Sequence, residues 1–218
     1  MSQVTKVDSP ESLRQGILKA KEILLKGGIV ALPTESFYGL GADATNPRAL
    51  ARIFTIKKRG SALPLLILVS SSEELRKYVQ SVPPQAKRMG KRFWPGGLTM
   101  IFRSSPLLPP ILTADTGKVG IRISSHPVAH ALSKSLPVPI TGTSANISGT
   151  HPCTTADQVL GYLGADIDLI LDGGSTRGEY PSTILDVTVD PPVIIREGII
   201  KAKEIIESGI YRRIGTLT

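Results

Sequence analysis

Two residue pairs in this chain have the types and spacing to hold a triphosphate: Lys57-x-Arg59 and Ser144-x-Asn146. Taken singly, each has an ordinary explanation. Cations at a helix exit compensate the helix dipole, and Ser-x-Asn after a strand is a common turn or N-cap. Taken together, they offer two cations and two neutral donors at loop positions beside sheet elements. Charged forks and small polar groups in that arrangement are what a polyphosphate requires.

The elements that must position them run from Gly28 to Ser70. Ile29 to Leu32 is an apolar run, closed by Pro33 and followed by the polar turn Thr34-Glu35-Ser36. Asn46-Pro47 starts a helix, because Asn accepts orphan N–H bonds and Pro loses nothing at the first position. Leu50, Ile53, Phe54 and Ile56 give that helix an apolar face, and it ends in Lys57-Lys58-Arg59 with Gly60 as the expected stop. Pro64 to Val69 is nearly all apolar, as in a strand covered on both faces. A hydroxyl-rich turn and a cationic helix end thus hang from two neighbouring buried strands.

The rest of the chain reads as helices alternating with strands. Helices are expected from Pro10 to the Gly27-Gly28 stop, from the Ser71-x-x-Glu74 capping box to Val79, and from Pro84 to Phe93. Three more are expected from Ser125 to Ser135, from a Thr154 cap to Leu163, and from Ala202 to Ile206. Strands are expected at 98–102, 119–123 (carrying Arg122), 138–141, 169–171, 183–187 and 193–196. The class is α/β, with one mixed sheet of about seven strands. Gly39-x-Gly41-x-x-Ala44 matches the dinucleotide fingerprint only formally. It stands away from the strand and lacks the later acidic residue, so it reads as a glycine-rich turn. No P-loop motif occurs. His126 and His130 have zinc spacing but no third ligand in view, and Cys153 has no neighbouring His to activate it.

Composition narrows the classes. With 218 residues and 41% hydrophobic content the chain can bury a core, and no run is apolar for long enough to span a bilayer. One cysteine and a polar start, MSQVTKVD, make a cytoplasmic protein the expectation. The net charge is +8, clustered at Lys57-Lys58-Arg59, Lys87-Arg88, Lys91-Arg92 and Arg212-Arg213. That balance implies an anionic partner, either nucleic acid or a phosphorylated small molecule. With one Trp, four Phe and five Tyr, a base-stacking platform would be poorly supplied.

Four blocks in order resemble the YrdC family: Pro33-Thr34-Glu35-Ser36-x-Tyr38-Gly39-Leu40, Lys57-x-Arg59 before Pro64-Leu65, Ser144-Ala145-Asn146-x-Ser148-Gly149, and Ser182-Thr183-Ile184-Leu185-Asp186 before Arg196-x-Gly198. They span residues 10–200 within a single YrdC-like domain over 1–218 that ends in a short basic tail. The resemblance implies an α/β fold, a twisted mixed β-sheet with flanking helices around a concave basic cavity. It implies threonylcarbamoyl-AMP synthase activity: L-threonine, bicarbonate or CO2, and ATP give threonylcarbamoyl-adenylate and pyrophosphate. The adenylate would feed the proteins that transfer the threonylcarbamoyl group to a tRNA adenosine.

By position, the resemblance makes Lys57, Arg59, Ser144 and Asn146 the catalytic tetrad around ATP and Arg196 a further nucleotide contact. It assigns Thr34, Arg122 and Ser182 to threonine, with Arg122 on its carboxylate. Magnesium would be held mainly through the ATP phosphates, since few acidic residues lie in these blocks. The chain departs from the family at Gly60, Leu63, Leu68 and Pro152, where Pro, Asn, His and Ser are usual. The alternative from another class is a double-stranded RNA-binding or ribosome-maturation module, or weak tRNA binding, resting on the basic surface. A carbamoyl-transfer domain of the same fold is a further alternative.

Overall fold

Residues Ile29 to Pro33 show why the centre of the fold is covered on both sides. Ile29 and Ala31 pack into one apolar cluster, while Val30 and Leu32 pack into another. This strand alternation, with period two, has a core on each face. The computed structural model describes residues 3–60, 63–211 and 213–216, so Arg212 of the basic tail lies outside the described residues.

In chain order the elements are β1 (Gln3–Lys6), α1 (Pro10–Leu25), β2 (Val30–Pro33), β3 (Tyr38–Gly41), α2 (Pro47–Ile56), β4 (Ile67–Leu68), α3 (Ser72–Tyr78), α4 (Pro84–Phe93), β5 (Leu98–Arg103) and α5 (Pro110–Thr113). There follow β6 (Lys118–Arg122), α6 (Pro127–Ser135), β7 (Ile140–Thr141), β8 (Thr143–Ser144), α7 (Ala156–Leu163), β9 (Leu169–Asp172), β10 (Thr183–Asp186), β11 (Val193–Arg196), α8 (Ala202–Glu207) and β12 (Gly215–Thr216).

The strands form two mixed sheets rather than the single sheet expected. One has the order β1-β9-β2-β3-β8, and the other β12-β11-β10-β5-β6-β4-β7. The division falls at Gly142, the single residue between β7 and β8. A Cβ there would stand 2.6 Å from the Leu66 side chain and 2.9 Å from that of Leu68, so a side chain at this step between sheets would have to push both leucines aside. The seam is tied by Thr141, which donates from Oγ1 to the Leu40 carbonyl (2.8 Å) and accepts from the Ala42 amide (3.0 Å). Apolar residues of α1 and α6 cover one side of the first sheet through Ile17, Ala20, Leu24, Val128, Ala129 and Leu132.

Several local expectations are corrected. The Gly39-x-Gly41 segment is the strand β3, antiparallel to β2 with Leu32 opposite Gly39 and Val30 opposite Gly41. The polar start at Gln3–Lys6 is an edge strand parallel to β9; exposure on an edge needs no apolar alternation. Helix α2 ends at Ile56 with Lys57 as its C-cap, and the left-handed residue after it is Lys58 (φ 47°), not Gly60. Thr155, not Thr154, caps α7, and His126 caps α6 by accepting at Nδ1 from the Val128 amide, 3.3 Å.

Candidate active site

Lys57 is the C-cap of α2 and its side chain is 1% exposed. Its ammonium donates to the carbonyl of Ser144, to the carbonyl of Asn146 (2.9 Å) and to Asn146 Oδ1 (3.1 Å). Three donors meet three acceptors, and none of them carries charge. Burial, and then the neighbouring Arg59, pull its pKa down to about 8. Asn146 is the hub of the loop. Its Oδ1 also accepts from Ser144 Oγ (2.6 Å), and its Nδ2 donates to the carbonyls of Ile147 (2.9 Å) and Thr150 (2.7 Å). The Ser148 amide closes the latch onto the Lys57 carbonyl at 2.8 Å.

Arg59 leans back over its own chain, donating from Nε to Leu63 (3.2 Å) and from Nη2 to Pro64 (2.9 Å) carbonyls. Arg196, at the end of β11, reaches the carbonyl of Ser182 through Nε (3.2 Å) and Nη2 (2.9 Å). Ser182 is 3% exposed and accepts from Thr99 Oγ1 at 2.9 Å. The pKa of Arg196 is lowered by burial and then by repulsion from Arg122 and Arg59. Arg59 after α2 and Arg122 at the end of β6 thus raise the positive potential at Arg196, which an anion would relieve.

Arg122 ends β6 with its side chain 3% exposed, and its Nη1 stands 3.1 Å from Glu35 Oε1. The two are close but off the hydrogen-bond line, and Arg122 Nε has no hydrogen-bond partner among the described residues. Ser124 Oγ donates to the other carboxylate oxygen, Glu35 Oε2, in a short contact. Thr34, 2% exposed, uses its hydroxyl within its own turn, donating to the Phe37 carbonyl (2.7 Å) and accepting from the Ser36 amide (3.3 Å). Its methyl lies 3.6 Å from where a Cβ on Gly39 would stand, and Gly39 pairs with Ser144 on β8.

The contacts gather the eight residues singled out in the sequence into separate groups: Lys57 with Ser144 and Asn146, Arg196 with Ser182, Arg122 with Glu35, which follows Thr34 in the chain, and Arg59 on its own following loop. Arg59 and Arg122 act on Arg196 through charge. Among the described residues, buried polar atoms without a hydrogen bond stand here at Glu35 Oε1, Arg122 Nε and Ser148 Oγ. As for magnesium, Glu35 is already engaged by Arg122 and Ser124. Among the described residues no three His, Cys, Asp or Glu side chains converge. The donor set is cationic and offers a divalent ion no cage of its own.

Residues 22–198 match the family model of Sua5, YciO and YrdC, whose description is telomere recombination. The chain belongs to this family. A threonylcarbamoyl-AMP synthase of Pyrococcus abyssi is 39% identical over 186 residues, covering 85% of this chain and 55% of that protein. A putative threonylcarbamoyl-AMP synthase of Mycobacterium tuberculosis is 34% identical over 207 residues, covering 95% of each. Among solved structures, P. abyssi Sua5 complexed with L-threonine superposes with a TM-score of 0.91 at 34% identity, covering 100% of this chain and 62% of that one. E. coli YciO superposes at 0.85 and 32% identity, covering 94% and 99%. The chain spans about half the length of the Pyrococcus and Bacillus subtilis synthases, 55% of each.

For a Sua5/YciO/YrdC-family chain, what the residue types alone did not single out is the support behind the site. Glu35 was visible only as the middle of a polar turn, and Ser124 not at all. The available signal was an acidic side chain inside Pro33-Thr34-Glu35-Ser36 of a chain otherwise rich in cations. Two of the departures have plain physical places. Leu68 is fully buried on β4, and Leu63 offers its carbonyl to Arg59. Among the described residues no helix is long and apolar enough to cross a membrane.

Proposed function

We propose that this chain is an L-threonylcarbamoyladenylate synthase, a nucleotidyltransferase that uses L-threonine, bicarbonate or CO2, and ATP. The observation that carries the reading is the buried Lys57 ammonium closed onto the Ser144–Asn146 loop, together with the buried Arg122, paired with Glu35 and with its Nε free of hydrogen bonds among the described residues. Support comes also from relatives named as synthases and from the threonine complex of the Pyrococcus protein.

Threonine's neutral amine adds to the carbon of CO2 and loses one proton to water, giving a carbamate, and a carbamate oxygen attacks the α-phosphorus of ATP. The new P–O bond forms as the bond to the β-phosphate oxygen breaks, and the electron pair leaves with pyrophosphate. No side-chain nucleophile takes part. Catalysis is orientation and charge neutralisation. Arg59 and Arg196 offset charge on the triphosphate. Lys57 adds its field from inside the wall, its three donors being engaged by the loop. Arg122 pairs with the amino-acid carboxylate, and Thr34 and Ser182 line that end. Magnesium enters with the nucleotide, as part of the substrate.

The product would pass to tRNA threonylcarbamoyl-transferase proteins. A double-stranded RNA module rests on charge alone, and no observation at the site favours it. The test is incubation with labelled bicarbonate, threonine and ATP, followed by chromatography. Label in an adenylate that also contains threonine is expected, and label left entirely in bicarbonate would overturn the proposal.

A further inference from the structure

Arg122 and Glu35 come from different sheets, one ending β6 and the other in the turn after β2. Their side chains are only 3% and 12% exposed at 3.1 Å. A pair so buried is unlike a surface salt bridge: removing either partner leaves an uncompensated charge. The carboxylate is itself fixed. Ser124 Oγ donates to Glu35 Oε2 and accepts from the His126 amide at 3.2 Å, which ties Glu35 to the start of α6. Glu35 meets the guanidinium at Nη1, and the buried Nε–H has no partner. Buried N–H groups without partners are rare. Carboxylates are recognised by guanidinium edges through parallel N–H bonds. Charge matters as well as aim. Arg122 with Glu35 is neutral as a unit, whereas among the described residues Arg59, Arg196 and Lys57 make no ion pair with a carboxylate.

We infer that Glu35 is a positioning and anion-sorting residue. It holds Arg122 with its Nε edge open to a monoanionic amino-acid carboxylate, and it cancels the charge that would otherwise draw a polyphosphate to that end of the site. The inference rests on the synthase reading. It acts through Arg122 and needs no contact between Glu35 and substrate.

The test is Glu35→Gln, with KM for threonine and for ATP measured separately and with pyrophosphate added as inhibitor. Threonine KM is expected to rise about tenfold or more, as for a misaimed binding group, with ATP KM nearly unchanged. Pyrophosphate should compete with threonine in the variant but not in the parent. Glu35→Asp, which keeps the charge at shorter reach, should restore the exclusion of pyrophosphate while leaving threonine KM intermediate. A merely structural Glu35 would move both KM values together and create no new competition, and that result overturns the inference. If Glu35→Gln does not fold, Ser124→Ala frees Glu35 Oε2 while keeping both charges; an unchanged threonine KM there also overturns it. A parent without threonine-dependent turnover would be a failure of the synthase reading instead. Calorimetry with pyrophosphate then decides the sorting role, with one site expected in the parent and a second in Glu35→Gln; unchanged stoichiometry contradicts it.

Discussion

The ammonium of Lys57 lies 3.1 Å from the amide oxygen of Asn146 and 2.9 Å from the same residue's carbonyl. With the Ser144 carbonyl as third acceptor, the cation is a latch inside the wall of the site. Among the described residues its charge meets neutral acceptors, so it stays uncompensated although its donors are engaged.

Stability and activity should therefore fall together at Lys57 and separate at Arg59. Lys57→Met leaves buried acceptors unsatisfied, a cost of about 1–3 kcal/mol, and Tm should drop by several degrees. Arg59 is partly exposed, and among the described residues it bonds the Leu63 and Pro64 carbonyls of its own following loop. Arg59→Ala should lose activity with Tm nearly unchanged. Thermal melts of both variants beside turnover check this; an unmoved Tm in Lys57→Met would show that the latch is not structural.

A pH dependence follows from the same burial. Lys57 titrates near 8 in the folded chain against an ordinary 10.5. Between those values the unfolded chain binds more protons, so this group's contribution to stability grows as pH rises through that window. ATP affinity moves the other way. The bound triphosphate favours the ammonium, so binding takes up a proton above pH 8, and affinity declines by up to about one log unit per pH unit. Calorimetry in buffers of differing ionisation heat should detect the proton uptake in the parent and none in Lys57→Met.

The legible part of this chain was the part written in residue type. Apolar periodicity located α1, α2 and β2, and cation spacing located Lys57 and Arg59, because such signals are local. What escaped depended on distant packing. The sheets divide at Gly142, where a Cβ would press on Leu66 and Leu68, and nothing near Gly142 in sequence announces that. β3 was masked by its two glycines, which sit in a strand because β2 and β8 flank it. Lys57 carries the family's spacing, yet spacing cannot tell a solvated ammonium from one closed by a loop 87 residues away.

Gly198 offers a test of the Ser182 wall. A Cβ there would stand 2.1 Å from the Pro181 carbonyl oxygen and 2.8 Å from the Ser182 carbonyl carbon. Backbone must shift, so Gly198→Ala should cost about 1–3 kcal/mol and displace Ser182 from Arg196. Threonine KM should rise more than ATP KM. Equal effects on both would remove Ser182 from the threonine end.

Asn146→Asp distinguishes a nucleotide site from a general basic surface. The new carboxylate would neutralise Lys57 and lose the Nδ2 donors to Ile147 and Thr150. One added negative charge in the site costs about 1–4 kcal/mol against a triphosphate at contact range. ATP affinity measured by calorimetry should fall at least about tenfold. RNA affinity, a sum of Lys and Arg contacts to phosphate, should keep its value and its salt slope. Loss of RNA binding with ATP binding intact would assign the loop to the other ligand.

The most direct measurement is pyrophosphate release from ATP by the purified chain, with threonine and bicarbonate omitted in turn. Release that needs both, and that stops when either is left out, is the predicted result. Release that proceeds without threonine or without bicarbonate, or no release with all three present, would contradict the synthase account.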